Sequence, residues 1–373
     1  MQRFSHLFSP LTMGNAHLNN RIIMAPLTRL RAIEPGDVPG PFAAEYYAQR
    51  AEAGLIITEA TQISFQAKGY AGAPGLHTDE QQAAWAKIVA AVHAKGGKIA
   101  VQLWHTGLVS HSSLQPEERA PISASAVTGL HVRTSLRNAQ GQTYRAETTP
   151  PREATIQDIN NVVADYAAAT RRAREAGFDF IEIHAAHGYL LSQFWAEVIN
   201  HRTDGYGGNR EKRAKLMLEV IDACVAAWDK NHIGIRISPL GAFNGVDFGY
   251  HEDDTVWLAA QINLRGIAYL HLSEPDWAGG KPLTPAFRQR LRETFQQAII
   301  TAGGYTAEKA EQVIEAGYAD AVAFGRAFIG NPDLVNRFAI GAPLQHFNEA
   351  TCYGGGAEGY TDYPTWPSKQ TDQ

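Results

Sequence analysis

The sequence predicts an α/β protein built as a single (β/α)8 TIM barrel, with an N-terminal hairpin cap and a long excursion after the third strand. Three observations carry this. Eight short apolar runs lack the strict in-out alternation of half-exposed strands, which is the pattern a parallel sheet buried on both faces requires. Nearly every run is followed by a helical pattern, and eight in β/α order point to a closed barrel. The competitor is an open doubly wound sheet, but no GxGxxG follows an early strand and no Gly-Lys-Thr/Ser loop occurs.

Taken in order, Leu7 to Leu18, with Pro10, Gly14 and Asn15, is a turn-rich entry read as a hairpin closing one end of the domain. The first strand is Arg21–Ala25, ending at Pro26-Leu27-Thr28. A helical pattern over Ala43–Ala53 leads to the second, Gly54–Ala60. Thr78 with Gln81 is a capping-box signature for a helix running to Lys95, where Gly96-Gly97 stops it. The third strand is Lys98–Trp104. From His105 to Arg152 there is no sustained periodicity, and a stretch this long inside a compact domain is usually functional. It is expected to form a lid or subdomain (105–152) over a site within one domain spanning residues 1–373.

Thr155 with Asp158 opens the next helix, which Gly177 ends after Ala176. The fourth strand follows at Phe180–Ile183, and the last four are Ile233–Ser238, Ile267–Leu272, Ala298–Gly303 and Ala321–Gly325. Between them lie helical patterns at Glu211–Ala227, Asp253–Leu264, Pro285–Thr294 and Thr306–Ala316.

Composition narrows the function. A net charge of -5 with no Lys/Arg cluster argues against a nucleic-acid surface. The two cysteines, Cys224 and Cys352, make no CxxC or Cys/His spacing, so no structural zinc is expected and a reducing compartment is. The N-terminus lacks a basic-then-apolar signal, and no apolar run approaches the roughly 18 residues of a membrane span. The expectation is a cytoplasmic protein without membrane attachment.

The stretch Ile181-Glu182-Ile183-His184-Ala185-Ala186-His187-Gly188-Tyr189-Leu190-Leu191 marks the site. It sets two histidines and a tyrosine where a buried strand gives way to its loop, the place where a scaffold carries binding and catalytic groups. The bland alternative is a turn-capping histidine, a satisfied core histidine and a packing tyrosine. In a barrel, however, active sites lie at the C-terminal strand ends, and hydrogen-bonding groups recur at nearly all of them. Glycines close strands 7 and 8, at Gly303-Gly304 and Gly325-Arg326. Barrels commonly bind phosphate there through backbone N–H groups, and Arg326 offers a charged fork. A plain turn and a surface arginine are the alternatives.

Five motifs then occur in order: Met24-Ala25-Pro26-Leu27-Thr28-Arg29, Gln102-Leu103-Trp104-His105-Thr106-Gly107, His184-Ala185-Ala186-His187-Gly188-Tyr189-Leu190-Leu191, Asn200-His201-Arg202-Thr203-Asp204-Gly205-Tyr206-Gly207-Gly208 and Gly354-Gly355-Gly356-Ala357-Glu358-Gly359-Tyr360. Together they resemble the Old Yellow Enzyme family of FMN-dependent ene-reductases, most nearly its bacterial N-ethylmaleimide and nitrate-ester reductases. The resemblance runs from Phe8 to Pro364.

The resemblance implies a non-covalently bound FMN, reduced by NADPH or NADH. The strand-end residues Pro26 and Leu27 would line it, Thr28 would donate to the flavin C4 carbonyl, and Gln102 would bond the pyrimidine edge. Arg236 would sit near N1 and the C2 carbonyl, where charge gathers on reduction; its alternative is a buried ion pair with an acid on a neighbouring strand. Ala60 would lie against the ring, Gly303, Gly304, Gly325 and Arg326 would hold the phosphate, and Tyr353, opening a C-terminal segment (353–373) near the flavin, would cover the dimethylbenzene edge. His184 and His187 would polarise a carbonyl or nitro oxygen, with Tyr189 as proton donor, in a ping-pong reduction of activated alkenes such as enones, maleimides and nitroalkenes, with nitrate esters and nitroaromatics as further substrates. Tyr70, Trp104 and Trp277 would wall the pocket. The expected partner is a small electrophilic alkene or nitro compound, met by a monomer or weak homodimer.

Three stretches depart from the family pattern: Leu108 where an arginine is common, Trp195-Ala196-Glu197 for a Leu-Ser-Pro-like segment, and Asn209-Arg210-Glu211-Lys212-Arg213 for Ser-x-x-Asn-Arg. They bear on loop conformation and substrate range. Two other classes stay open. A metal-dependent hydrolase could use His184 and His187 but lacks a visible third ligand. A flavin-free aldolase or isomerase would need Lys98 as its Schiff-base lysine, at the wrong end of a strand.

Overall fold

The computed structural model describes residues 3–246 and 251–367; residues 368–373 of the expected C-terminal segment lie outside them. The chain opens with a hairpin, β1 (Leu11–Met13) and β2 (Ala16–Leu18), and continues with β3 (Ile22–Met24), α1 (Ala43–Ala48), β4 (Leu55–Ile57), β5 (Thr61–Gln62), α2 (Asp79–His93) and β6 (Ile99–Trp104). The excursion carries β7 (Ile122–Ser123), β8 (Arg133–Arg137), β9 (Thr143–Glu147) and β10 (Arg152–Glu153). Then come α3 (Ile156–Ala176), β11 (Phe180–His184), α4 (Leu190–Trp195), α5 (Arg210–Ala227), β12 (Ile233–Ile237), α6 (Glu252–Asn263), β13 (Tyr269–Ser273), α7 (Pro285–Thr294), β14 (Ala298–Ala302), α8 (Ala307–Glu315) and β15 (Ala321–Phe324), with the short α9 (Arg326–Gly330) and α10 (Leu334–Ile340) after it.

Strands β11, β12, β13, β14, β15, β3, β4 and β6 pair side by side in that order, and β6 pairs β11 to close the ring. All eight contacts are parallel, the barrel that the eight apolar runs predict. No described helix is long and apolar enough to cross a membrane.

The strands separate two apolar layers. Ile22, Ile56, Ile99, Val101, Ile181, Ile183, Ile235 and Leu270 face the helices, while Ile23, Leu55, Ala100, Phe180, Tyr269, Ile300 and Ala321 fill the interior together with Met13 and Leu18 of the hairpin. The hairpin is therefore a plug for the barrel's floor, leaving the opposite end for a site. Space on the floor is tight: a Cβ on Gly234 would lie 2.1 Å from Tyr269 Cζ. Gly234→Ala is expected to overpack this layer at a cost of about 1–3 kcal/mol, seen as a lower urea midpoint with unchanged slope.

Local chemistry explains the helix boundaries. Thr78 with Gln81, and Thr155 with Asp158, both form full capping boxes. Gly177 takes the left-handed conformation that ends α3, at φ 91. The pattern over Ala43–Ala53 continues past the helix, which stops at Ala48 because the backbone changes to i→i+3 bonds, Arg50 N to Tyr47 O and Ala51 N to Ala48 O. The Arg50 guanidinium occupies the Tyr46 carbonyl and ties it to Phe328 O and Ile329 O.

The aperiodic stretch after β6 contains order that its sequence does not announce. Here β8 and β9 pair antiparallel, turned by Asn138, whose side-chain oxygen accepts from the Gln140 and Gln142 N–H groups. The hairpin is clipped to the loop bearing Tyr70 by Ala71 N to Ser135 O at 2.9 Å, and to the loop after β3 by Arg137 donating to Leu30 O at 2.6 Å.

Candidate active site

The site is built from the C-terminal rim of the barrel, starting at β11. Phe180, Glu182 and His184 alternate with Ile181 and Ile183, so the polar pair faces inward. Beyond His184 the chain reverses through two consecutive left-handed residues, His187 at φ 59 and Gly188 at φ 76. Gly188 is required, since a Cβ there would stand 2.4 Å from Phe243 O. His187 is held in its unusual conformation by donating its N–H to Ser238 Oγ at 2.9 Å and accepting from Asn244 Nδ2 at 2.9 Å. Strain of this kind persists where the surroundings over-determine it.

The reversal brings the predicted pocket residues together. Tyr70 stacks on Trp104 with ring centres 5.5 Å apart, and Trp104 stacks on His184 at 6.0 Å. Tyr189 stands edge-on to both Trp104, at 4.8 Å, and His184, at 4.9 Å. His187 lies 5.3 Å from His184 and 5.7 Å from Trp277. The Tyr189 and Tyr70 hydroxyls are 3.1 Å apart. Burial, then the neighbouring Tyr70, pushes the Tyr189 phenol well above its usual value, so it is a protonated donor at neutral pH.

The two histidines differ in their free atoms. The Ala186 N–H donates to His184 Nδ1 at 3.2 Å, which puts the proton of the neutral ring on Nε2, an atom with no partner among the described residues. Burial, then Arg236 and His271, holds this imidazole well below its ordinary pKa. His187 Nε2 instead meets Ser273 Oγ at 2.8 Å, the oxygen that also accepts from Trp277 Nε1 at 3.2 Å. Burial and then Arg236 depress His187 as well.

Below this rim lies a polar layer. Gln102, Glu182 and His271 are buried, and the Glu182 carboxylate accepts from Gln102 Nε2 at 2.7 Å and from His271 Nδ1 at 2.8 Å. Arg236 sits beside His184 in register and is 7% exposed, yet its Nε has no partner among the described residues. Glu182 is the acid on a neighbouring strand that the bland reading of Arg236 requires, and it acts on Arg236 electrostatically. No ion pair within 4 Å joins them among the described residues. Ser273 lies at a polar strand end, but Glu182 and His271 are given no role by the sequence reading; the inward register of Glu182, two residues before His184, is the signal that points to it.

The other predicted cofactor positions sit around the same rim. Pro26, Leu27 and Thr28 are half-buried after β3, and Ala60 is buried after β4. Leu27 packs toward Gly325, where a Cβ would come 3.4 Å from its Cδ2. After β14 the Gly304 N–H donates to Asp276 Oδ1 at 3.0 Å, and after β15 Arg326 donates to the Trp277 carbonyl at 2.7 Å. The loop after β13 thus engages both phosphate-type donors with its own oxygens. Tyr353 is 59% exposed, close enough to act electrostatically on Tyr70 and Tyr189.

Two of the departures from the family pattern meet each other. Arg213 donates to Trp195 O at 3.0 Å and lies over the Trp195 ring, while Asn209 caps α5 by accepting from Lys212 N. Leu108 is buried and gives its N–H to Gln193. Lys98, the Schiff-base candidate, is paired with Asp179 at 3.0 Å on the opposite rim. His184 and His187 join no group of three His, Cys, Asp or Glu side chains among the described residues.

Residues 6–345 match the model of the NADH:flavin oxidoreductase / NADH oxidase family. The 12-oxophytodienoate reductase 2 of Arabidopsis thaliana is 41% identical over 366 residues, covering 97% of this chain and 96% of that protein. The 12-oxophytodienoate reductase 1 of Oryza sativa subsp. japonica is 42% identical over 369 residues, 96% of this chain and 92% of that protein. Among solved structures, morphinone reductase superposes with a TM-score of 0.93 at 45% identity, covering 98% of both chains. The Old Yellow Enzyme homologue from Zymomonas mobilis does so with a TM-score of 0.89 at 39% identity, over 96% of this chain and 99% of its own. With the barrel and the rim that its motifs build, the chain belongs to the NADH:flavin oxidoreductase / NADH oxidase family, as an Old Yellow Enzyme homologue.

Proposed function

We propose that this protein is an FMN-dependent ene-reductase that uses NADPH or NADH to reduce the carbon–carbon double bond of alkenes activated by a carbonyl or nitro group. The observation that carries the reading is the convergence of His184, with a free Nε2–H, and the protonated Tyr189 hydroxyl within one aromatic-walled rim. The names of the plant relatives carry an oxo group and two double bonds, and that of morphinone reductase a ketone, which agrees with such a substrate.

The residues fit a flavin. Arg236 is a buried cation whose Nε has no partner among the described residues, suited to the anionic edge of the ring; Gln102 keeps its carbonyl oxygen for a ring N–H, and Thr28, after β3, would donate to the C4 carbonyl. Ala60, Pro26 and Leu27 offer small or apolar surface for the ring. Gly303, Gly304, Gly325 and Arg326 would take the phosphate, with Asp276 and the Trp277 carbonyl giving up their contacts. Tyr353 and the 353–373 segment would cover the outer edge, and the 105–152 excursion would close the mouth as a lid.

When bound, FMN supplies the hydride drawn from the nicotinamide. The chain's part is to hold and polarise the substrate. His184 Nε2–H and His187 donate to the substrate oxygen, strengthening as charge develops there. Tyr189 delivers the proton to the α-carbon. Tyr70, Trp104 and Trp277 would wall the pocket around the planar alkene. The same two donors suit an imide carbonyl or a nitro oxygen, which extends the reading to maleimides on the one hand and to nitrate esters and nitroaromatics on the other.

The purified protein is expected to be yellow, with flavin absorption near one FMN per chain that is released on denaturation. A colourless protein that also fails to take up added FMN would overturn the reading.

A further inference from the structure

The acid in the polar layer is unexplained by stability alone. Taking a carboxylate into a barrel interior costs several kcal/mol, and an apolar residue of similar volume is often as stable. Yet Glu182 is 0% exposed, and each oxygen is committed, one to Gln102 and the other to His271. In register, Glu182 faces Gln102 on β6, and Arg236 on β12 faces His271 on β13. All four side chains lie on adjacent strands directly under the rim.

We infer that Glu182 is a positioning residue that acts on a bound flavin through Gln102 and Arg236, fixing the orientation of the one and moderating the charge of the other. This rests on the flavin reading given above. Because Gln102 Nε2 donates to the carboxylate, the amide cannot flip without setting its oxygen against an anion. Its carbonyl oxygen is thereby the group presented away from Glu182, an acceptor for a ring N–H. Burial lowers the Arg236 guanidinium from its usual value, and the negative charge of Glu182 lies close enough to oppose that, so the field that Arg236 exerts upward is partly cancelled. Burial would by itself raise the Glu182 carboxyl, but His271, Arg236 and the Gln102 amide hold it below the usual carboxylate range, which keeps the anion in place.

The experiment compares wild type, Glu182→Gln and Glu182→Asp for FMN uptake by the apoprotein, the two-electron potential of bound FMN, and thermal unfolding of the apoprotein. In Glu182→Gln the new amide can donate to or accept from Gln102, so the orientation is lost and FMN binding weakens about tenfold. Arg236 is no longer offset, so the reduced form gains at least tenfold over the oxidised form, a rise of about 30 mV for two electrons. Glu182→Asp keeps the charge but shortens the reach to Gln102. It is expected to bind FMN more weakly with the wild-type potential, and it serves as the folded comparison if the glutamine variant is poorly stable. Variants that lose thermal stability while FMN affinity and potential stay at wild-type values would show Glu182 to be structural only and overturn the inference. A wild-type apoprotein that takes up no FMN would instead sink the flavin reading itself.

Discussion

Tyr189→Phe is expected to leave reduction of the bound flavin by NAD(P)H at its wild-type rate and to slow its reoxidation by 2-cyclohexenone by about 10²–10⁴-fold, the range typical of a lost general acid. The substitution removes one oxygen and little volume, so the edge-on contacts of the ring with Trp104 and His184 remain. What disappears is the hydroxyl 3.1 Å from Tyr70. With its pKa raised by burial and by Tyr70, this phenol stays protonated below its ordinary value of about 10, so Tyr189 itself contributes no pH dependence to the wild-type enone reaction across roughly pH 6–9. Acceptors that need no proton at carbon, such as a quinone, should be far less affected. Stopped-flow measurement of the two half-reactions separates the outcomes: equal slowing of both would mean that Tyr189 only shapes the site, and an unchanged enone rate would move the proton donor elsewhere.

The grouping of His184, His187 and Tyr189 is legible in the sequence because of chain locality. His184, His187 and Tyr189 lie on one strand end and its turn, so their proximity is written in consecutive residues. The eight strands are legible for a related reason, since runs such as Ile233–Ile237 are buried on both faces and need no alternation to be recognised. Glu182 and His271 are different. They sit on β11 and β13, on either side of β12, and their contact depends on the registers of the two intervening strand pairings. The hairpin β8–β9 was illegible for another reason. Its residues Arg133, Arg137, Thr143, Arg145 and Glu147 give no apolar face, because the hairpin is held by hydrogen bonds to loop carbonyls such as Leu30 O rather than by a hydrophobic stripe. The self-engagement of Gly304 and Arg326 by the β13 loop was equally invisible, since it depends on where Asp276 and Trp277 fold back.

The histidine pair yields the second large effect, and the structure makes it asymmetric. Replacing both His184 and His187 by Ala is expected to weaken binding of phenolic and enone ligands and to slow enone reduction, each lost donor being worth about 2.7–4 kcal/mol in the transition state. The single variants should differ. His184 has its Nδ1 occupied by the Ala186 N–H, so its Nε2–H is already a free donor. His187 has Nε2 against Ser273 and can donate from Nδ1 only when the Ser273 hydroxyl gives its own proton to Nε2. His184→Ala is therefore expected to cost more than His187→Ala. Both rings are held well below the ordinary pKa of 6.5, first by burial and then by Arg236, so the donors are neutral imidazoles. The wild-type enone rate should not fall as pH rises through 6.5, as it would if an imidazolium were required. Depressed histidine pKa values also mean that folding stability is present above 6.5 and is lost as pH falls below it toward the folded values. Steady-state and stopped-flow rates for the two single variants and the double variant, measured across that range, test these points together. Unchanged enone reduction and phenol binding in the double variant would remove the polarising role from both residues, and a rate that collapses above pH 6.5 in wild type would assign the donor to a charged ring instead.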